Sequence, residues 1–150
     1  MTKKSYGKAI DDALSLWIKL ARGFSVFNKR VIDQIRTFGL TPAQFAVLEC
    51  LGHLGPQTIG HLCKKMLVTG GNMTVVIDNL EKSVLVERTP SSEDRRAIQV
   101  RLTEQGQALF DRIFPQHARY IAQIASVLTS EEQEHLSWLL KKLGTSLQKQ

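Results

Sequence analysis

The chain has 150 residues, 43% of them hydrophobic, with a formal net charge of +6 and two cysteines. That length fits one domain or a small reading head built into a helical frame, and the apolar share supports a packed core rather than a disordered tail. Cys50 and Cys63 lie in helical patterns without metal-ligand spacing, so they read as two reduced, buried thiols of a cytosolic protein. The basic start Met1-Thr2-Lys3-Lys4 runs into polar and then amphipathic residues, with no secretory core behind it. No apolar run reaches the roughly 18 residues a membrane span needs. A soluble, cytoplasmic chain without membrane attachment is expected.

The charge is unevenly spread. Residues 1–40 hold eight Lys/Arg against three Asp/Glu, residues 41–103 seven against six, and residues 104–150 five against five. A nucleic-acid reading therefore cannot rest on total charge, and placement must carry it.

In chain order, residues 5–38 form one long helical pattern. Ile10, Leu14, Trp17, Ala21, Phe24, Asn28, Val31, Ile35 and Phe38 alternate steps of four and three, which is a heptad seam with one polar member. Leu16, Leu20, Phe27 and Ile32 widen it beyond what one neighbour covers, which points to a subunit interface. Gly39 is placed to end this helix in left-handed geometry. Thr41-Pro42-Ala43-Gln44 then predicts a capping box with proline at the first helical position. Phe45, Val47, Leu48, Leu51 and Leu54 supply the apolar face of that helix, and Gly52, Gly55 and Pro56 are read as its end. Glu49 and His53 stand one turn apart on it; without a third ligand, polar surface is the plainer reading than metal.

Thr58 is placed to cap a short helix with Ile59, Leu62, Cys63 and Met66 inward and His61, Lys64 and Lys65 outward. After a turn through Val68-Thr69-Gly70-Gly71, a second helix runs to Lys82. Met73, Val76, Ile77 and Leu80 bind it to the core. At 100° per residue the opposite face is Gly71, Val75, Asp78 and Lys82, flanked by Asn72, Thr74 and Asn79. Such a face suits a major groove, with Asn72 matched to adenine and Thr74 and Val75 to thymine methyls. Gly70 and Gly71 allow close backbone approach, and the helix start offers unpaired N–H groups to phosphate. Next, Val86 and Arg88 lead out and Ile98, Val100 and Leu102 alternate back, a two-stranded ribbon with Asp94-Arg95-Arg96 near its tip. Arginines at a hairpin tip fit a narrow minor groove, and Asp94 can brace one of them. Two helices feeding this ribbon outline a winged helix-turn-helix, whose first helix crosses the DNA backbone.

Thr103 is placed to cap a last long pattern through Leu109, Phe110, Ile113, Tyr120, Ile121, Ile124 and Leu128, with a kink expected near Asp111 to Pro115. Thr129-Ser130-Glu131-Glu132 opens a final helix bearing Leu136, Leu139, Leu140, Leu143 and Leu147.

Asp94, Arg96, Val100, Leu102 and Thr103 match the pattern D-x-R-x-x-x-V-x-L-T, with Gly106 following. Leu80 to Arg88 matches L-E-x-x-G-L-V-x-R except at Val84, Leu40 to Leu48 matches L-T-x-x-Q-x-x-V-L, and Leu128 to Glu132 matches L-T-x-E-E. Together, in order and across roughly residues 10–145, these resemble the MarR family of winged helix-turn-helix regulators. The resemblance implies a mainly α chain with a small antiparallel β-hairpin wing and a single domain over 1–150. Within it, 41–103 would be the DNA-binding head, and 5–38 and 104–148 the dimerisation helices. It also implies a homodimer on a palindromic double-stranded operator, acting as a repressor. Release would come from a small, often phenolic molecule in a cleft between head and dimer helices, or from thiol oxidation.

By position in the resemblance, Asn72, Thr74 and Val75 would read bases, Arg95 or Arg96 would enter the minor groove, and Asp94 would brace the wing. Thr58, Lys64, Lys65, Thr69, Gly71, Lys82 and Arg88 complete the expected DNA contacts. Trp17, Phe24, Phe45, His53 and Phe114 are the candidates for the effector cleft, although core packing is the plainer reading of such residues. Val84 stands where the family has glycine, and a left-handed turn there costs a β-branched residue about 1–2 kcal/mol. Val75 stands where many members carry a basic residue, which takes guanine readout away from this helix. Hydroperoxide-sensing members carry a cysteine in the first helix, where this chain has none. No nucleophile–base pair, metal cluster or phosphate loop suggests an enzyme, and no cofactor is expected. The alternatives are a winged-helix protein-interaction module without DNA binding and a redox regulator acting through Cys50 or Cys63, the latter beside Lys64.

Overall fold

A computed structural model describes residues 4–66, 70–91 and 98–148. The element order is α1 (Lys8–Arg36), α2 (Pro42–Leu54), β1 (Gln57–Thr58), α3 (Ile59–Met66), α4 (Gly70–Lys82), β2 (Val86–Pro90), β3 (Ile98–Leu102), α5 (Glu104–Ala125) and α6 (Ser130–Gln148). The chain divides into two units, Met1–Phe114 and Pro115–Gln150. α5 runs through Pro115 without ending there.

Local chemistry explains most boundaries. Gly39, at φ +75°, turns the chain after α1. Thr41 and Gln44 form a reciprocal capping box, the Gln44 N–H donating to Thr41 Oγ1 at 3.2 Å and the Thr41 N–H to Gln44 Oε1 at 2.9 Å. α2 ends at Gly55, φ +72°. Gly52 does not close the helix as expected but lies inside it, where an added Cβ would come within 2.5 Å of the Phe110 ring. Its role is close approach of α2 to α5. In the second unit, Thr129 and Glu132 form another capping box at the start of α6, with bonds of 2.8 and 3.3 Å.

The ribbon is wider than the two strands expected from the sequence. β3 pairs antiparallel with β2, from Val86 opposite Leu102 to Pro90 opposite Ile98. On its other edge β3 also pairs with the two-residue β1, Gln57 opposite Val100 and Thr58 opposite Gln99. The sheet order is β1-β3-β2. β1 therefore ties the start of the helix-turn-helix to the wing's inner strand.

The core of the first unit lies beneath this sheet. Val47, Leu48, Leu62, Met73, Ile77, Leu80 and Val100 are wholly buried, drawn from α2, α3, α4 and β3. Ile35 of α1, Leu85 and Val86 of the wing joint, and Ile113 of α5 join them. Met73, Ile77 and Leu80 recur at four and three, so one face of α4 is fixed and the other is left outside.

The joint between α4 and the wing is held by several hydrogen bonds. The Leu85 N–H donates to Leu80 O at 2.9 Å and the Val84 N–H to Glu81 O at 2.8 Å. This is the Schellman pattern, with Val84 in the left-handed position that glycine usually fills. Its φ is +58°, the one positive φ at a non-glycine among the described residues. Thr103 Oγ1 donates to Val84 O at 2.6 Å and accepts from the Gly106 N–H at 3.0 Å, so a single hydroxyl holds the strained turn and caps α5. Val84→Gly is expected to raise stability by about 1 kcal/mol, because the relief of left-handed strain exceeds glycine's greater unfolded-state entropy. Denaturant melts of the two proteins measure this, and an unchanged or lower midpoint would show that the turn carries no strain.

Candidate nucleic-acid interface

α3 and α4 form the helix-turn-helix. Thr58 belongs to β1 and caps α3, its Oγ1 accepting from the His61 N–H at 3.2 Å. Its oxygen thus serves as the cap that sets where α3 begins, while its O–H can still donate. Lys64 and Lys65 stand exposed in the last turn of α3, and Lys82 in the last turn of α4.

On α4 itself, Gly71, Asn72, Thr74, Val75 and Asn79 are exposed, and Val75 is 59% exposed although apolar. Thr74 Oγ1 donates to Gly70 O at 3.0 Å, so its proton is spent on its own helix while its oxygen can still accept. The outer face therefore offers an amide, a methyl-bearing surface and a glycine-lined first turn, which are groups able to meet base edges and phosphate. Thr69, Asp94, Arg95 and Arg96 lie outside the described residues.

Arg88 does not have the free guanidinium expected of a phosphate contact. Its Nη2 donates to Asp78 Oδ1 at 2.6 Å and its Nη1 to Glu81 Oε2, while its backbone N–H donates to Glu81 Oε1 at 2.9 Å. Burial works against the charged form, and the bonds from Asp78 and Glu81 more than reverse this, leaving the guanidinium pKa raised. One register position nearer the joint, Arg101 Nε donates to Glu87 Oε1 at 2.7 Å across the paired strands. Both partners of that pair are about half exposed, so it adds little to stability.

A cluster of rings joins α2 to α5. His53 meets Phe114 edge-on at 4.4 Å and Phe110 at 5.2 Å, and the two phenylalanines stack at 5.2 Å. Of the residues expected in an effector cleft, His53 and Phe114 come together here, joined by Phe110, which the sequence reading placed only in the core pattern of its helix. Phe45 does not line a cleft: it is 3% exposed and stacks on Phe38 at 6.2 Å within the core. Trp17 and Phe24 are 64% and 67% exposed on α1, and among the described residues neither makes a ring contact.

The sequence profile of the MarR family matches residues 40–98. The HTH-type transcriptional regulator MhqR of Bacillus subtilis is 39% identical over 134 residues, covering 89% of this chain and 92% of the relative. The chain belongs to the MarR family. Another relative, the HTH-type transcriptional repressor MdtR of Bacillus subtilis, is 28% identical over 138 residues, covering 91% of this chain and 89% of its own length. Among solved structures, a mutant MarR from E. coli in complex with operator DNA superposes with a TM-score of 0.77 at 25% identity, covering 91% of this chain and 99% of that one. Membership makes this chain a DNA-binding helix-turn-helix transcriptional regulator rather than an enzyme.

For this MarR-family chain several further features bear on mechanism. No helix among the described residues is long and apolar enough to cross a membrane. Among the same residues no three His, Cys, Asp or Glu side chains converge as metal ligands, and Glu49 and His53 find no third partner of that kind. Cys50 and Cys63 are free thiols, each partly buried against the core. Burial pushes the Cys50 pKa up, with Lys65 pulling it down and Glu49 adding to the rise, and the net effect favours the unreactive thiol. The residues missed at sequence level are Asp78 and Glu81 as partners of Arg88. The signal was present in the motif L-E-x-x-G-L-V-x-R, whose glutamate and arginine lie on either side of a tight turn.

Proposed function

We propose that this chain is a dimeric repressor that sets two winged heads on a palindromic operator and leaves it when a small aromatic molecule binds. The observation that carries the DNA reading is α4, anchored by three buried side chains while its opposite face stays open. Repression is supported by the relative MdtR, a named transcriptional repressor, and operator binding by the E. coli MarR complex. Dimerisation is supported by apolar surface: Ile10, Leu14, Trp17 and Phe24 on α1, and Leu136, Leu139, Leu143 and Leu147 on α6, are each between 38% and 67% exposed. Monomeric proteins rarely leave such stripes uncovered. The effector would dock against His53 and Phe114, an imidazole and a flat apolar ring, with the buried Phe110 packed against both.

On this reading Asn72, Thr74 and Val75 read bases, while Gly71, Lys64, Lys65 and Lys82 approach phosphate, with Thr58 holding α3 and Thr69 completing the turn. The role proposed for Asp94, Arg95 and Arg96 is at the minor groove, with an arginine entering it and Asp94 bracing that arginine. Arg96→Ala is expected to weaken operator binding several-fold or more, about 1 kcal/mol or above, in a titration at fixed salt. An unchanged affinity would remove that arginine from the interface. Mapping the protected operator tests the whole reading, since two heads related by a two-fold axis require half-sites about one helical turn apart.

A further inference from the structure

The joint of recognition helix and wing carries a three-membered ion cluster. Asp78 and Glu81 both come from α4, one turn apart, and Arg88 comes from β2. Asp78 falls on the outward arc with Gly71, Val75 and Lys82, and its side chain is 46% exposed. Glu81 is 32% exposed on the adjoining flank and is held twice by Arg88, through the guanidinium and through the backbone N–H. The arginine side chain is the most buried of the three, at 24%.

Without Arg88, two carboxylates would stand bare on or beside the surface that approaches phosphate, at separations salt does not fully screen. A planar guanidinium fork suits both at once, since its two terminal nitrogens can meet separate carboxylates. Both of its terminal nitrogens are then engaged with carboxylates of α4. Resting on the DNA reading of α4 above, we propose that Arg88 is a charge-cancelling positioning residue. It offsets the negative charge of Asp78 and Glu81, ties the end of the recognition helix to the wing, and makes no phosphate contact of its own.

A phosphate ligand and a charge-cancelling brace respond differently to substitution. Arg88→Met exposes both carboxylates and is expected to weaken binding to an operator duplex by about tenfold or more. The triple variant Asp78→Asn, Glu81→Gln, Arg88→Met removes all three charges and leaves amides in place of the carboxylates. It is expected to bind within about threefold of the parent chain, with no shallower dependence of affinity on salt. If Arg88 instead grips phosphate, the triple variant stays as weak as Arg88→Met and its salt slope falls by about one counterion. Either result overturns the proposal. Thermal melts of each protein accompany the titrations. Should Arg88→Met fail to fold, the triple variant, which carries no orphaned charge, decides the question through affinity and slope. A parent chain that binds no operator would refute the DNA reading of α4 and not the ion cluster.

Discussion

Gly106→Ala is expected to destabilise the fold by about 3 kcal/mol or more, which in a chain of this size lowers the melting temperature by roughly 6–12 °C. A Cβ at Gly106 would sit 1.9 Å from Leu85 O and 2.9 Å from Leu85 C. The obstacle is backbone, and no rotamer change can clear it. Leu85 is pinned from several directions: its side chain is buried, its N–H closes the Schellman turn on Leu80, and its carbonyl accepts from the Thr103 N–H at 3.2 Å. The Gly106 N–H is held in turn by Thr103 Oγ1. Relief would have to separate the first turn of α5 from the wing joint, breaking the Thr103 cap and its bond to the strained Val84 together. Gly23→Ala is the control. An added Cβ there meets nothing within 4 Å, so gain in helix propensity is expected to stabilise by about 0.5–1 kcal/mol. Matched denaturation curves measure both, and a Gly106→Ala midpoint equal to the parent's would sink the argument.

The joint shows why parts of the molecule were legible in the sequence and others were not. Features set by neighbours in the chain were readable: the Thr41–Gln44 and Thr129–Glu132 boxes, the turn at Gly39, and the buried stripe Met73, Ile77 and Leu80. The oddity of Val84 was readable too, because one turn geometry suits one residue type there. Features set by distant chain were not. β1 is two residues long and exists because β3 lies alongside it, about forty positions later. Gly52 obeys no local rule, since its meaning lies in the ring of Phe110. Arg88 read as a free cation because a charge pattern does not disclose partners brought together by a turn. Phe45 and Trp17 looked alike as aromatic residues on apolar faces, yet one is 3% and the other 64% exposed. Periodicity says which face is apolar, not whether this chain or a second copy covers it.

On the proposed dimeric reading, Trp17→Glu is expected to yield monomers and to lower operator affinity by about 100-fold or more, since two linked heads gain that much over one. Trp17 lies within an α1 face whose Ile10, Leu14 and Phe24 are 54%, 45% and 67% exposed. Each such side chain contributes about 1.5–3 kcal/mol when fully covered, so a few of them on each protomer make a substantial interface. In α6 no residue is buried, although leucine recurs through it at helical spacing. A glutamate in the middle of the α1 face would need a partner or water at the contact, and the described neighbours at Ile10, Leu14 and Phe24 supply no cation. The same substitution leaves the core of the reading head untouched, because Trp17 is absent from it. Sedimentation should therefore report half the parent mass while the circular dichroism of the variant stays helical. A variant that remains dimeric, or a monomer that binds the operator as tightly as the parent, would show that the α1 face has another use.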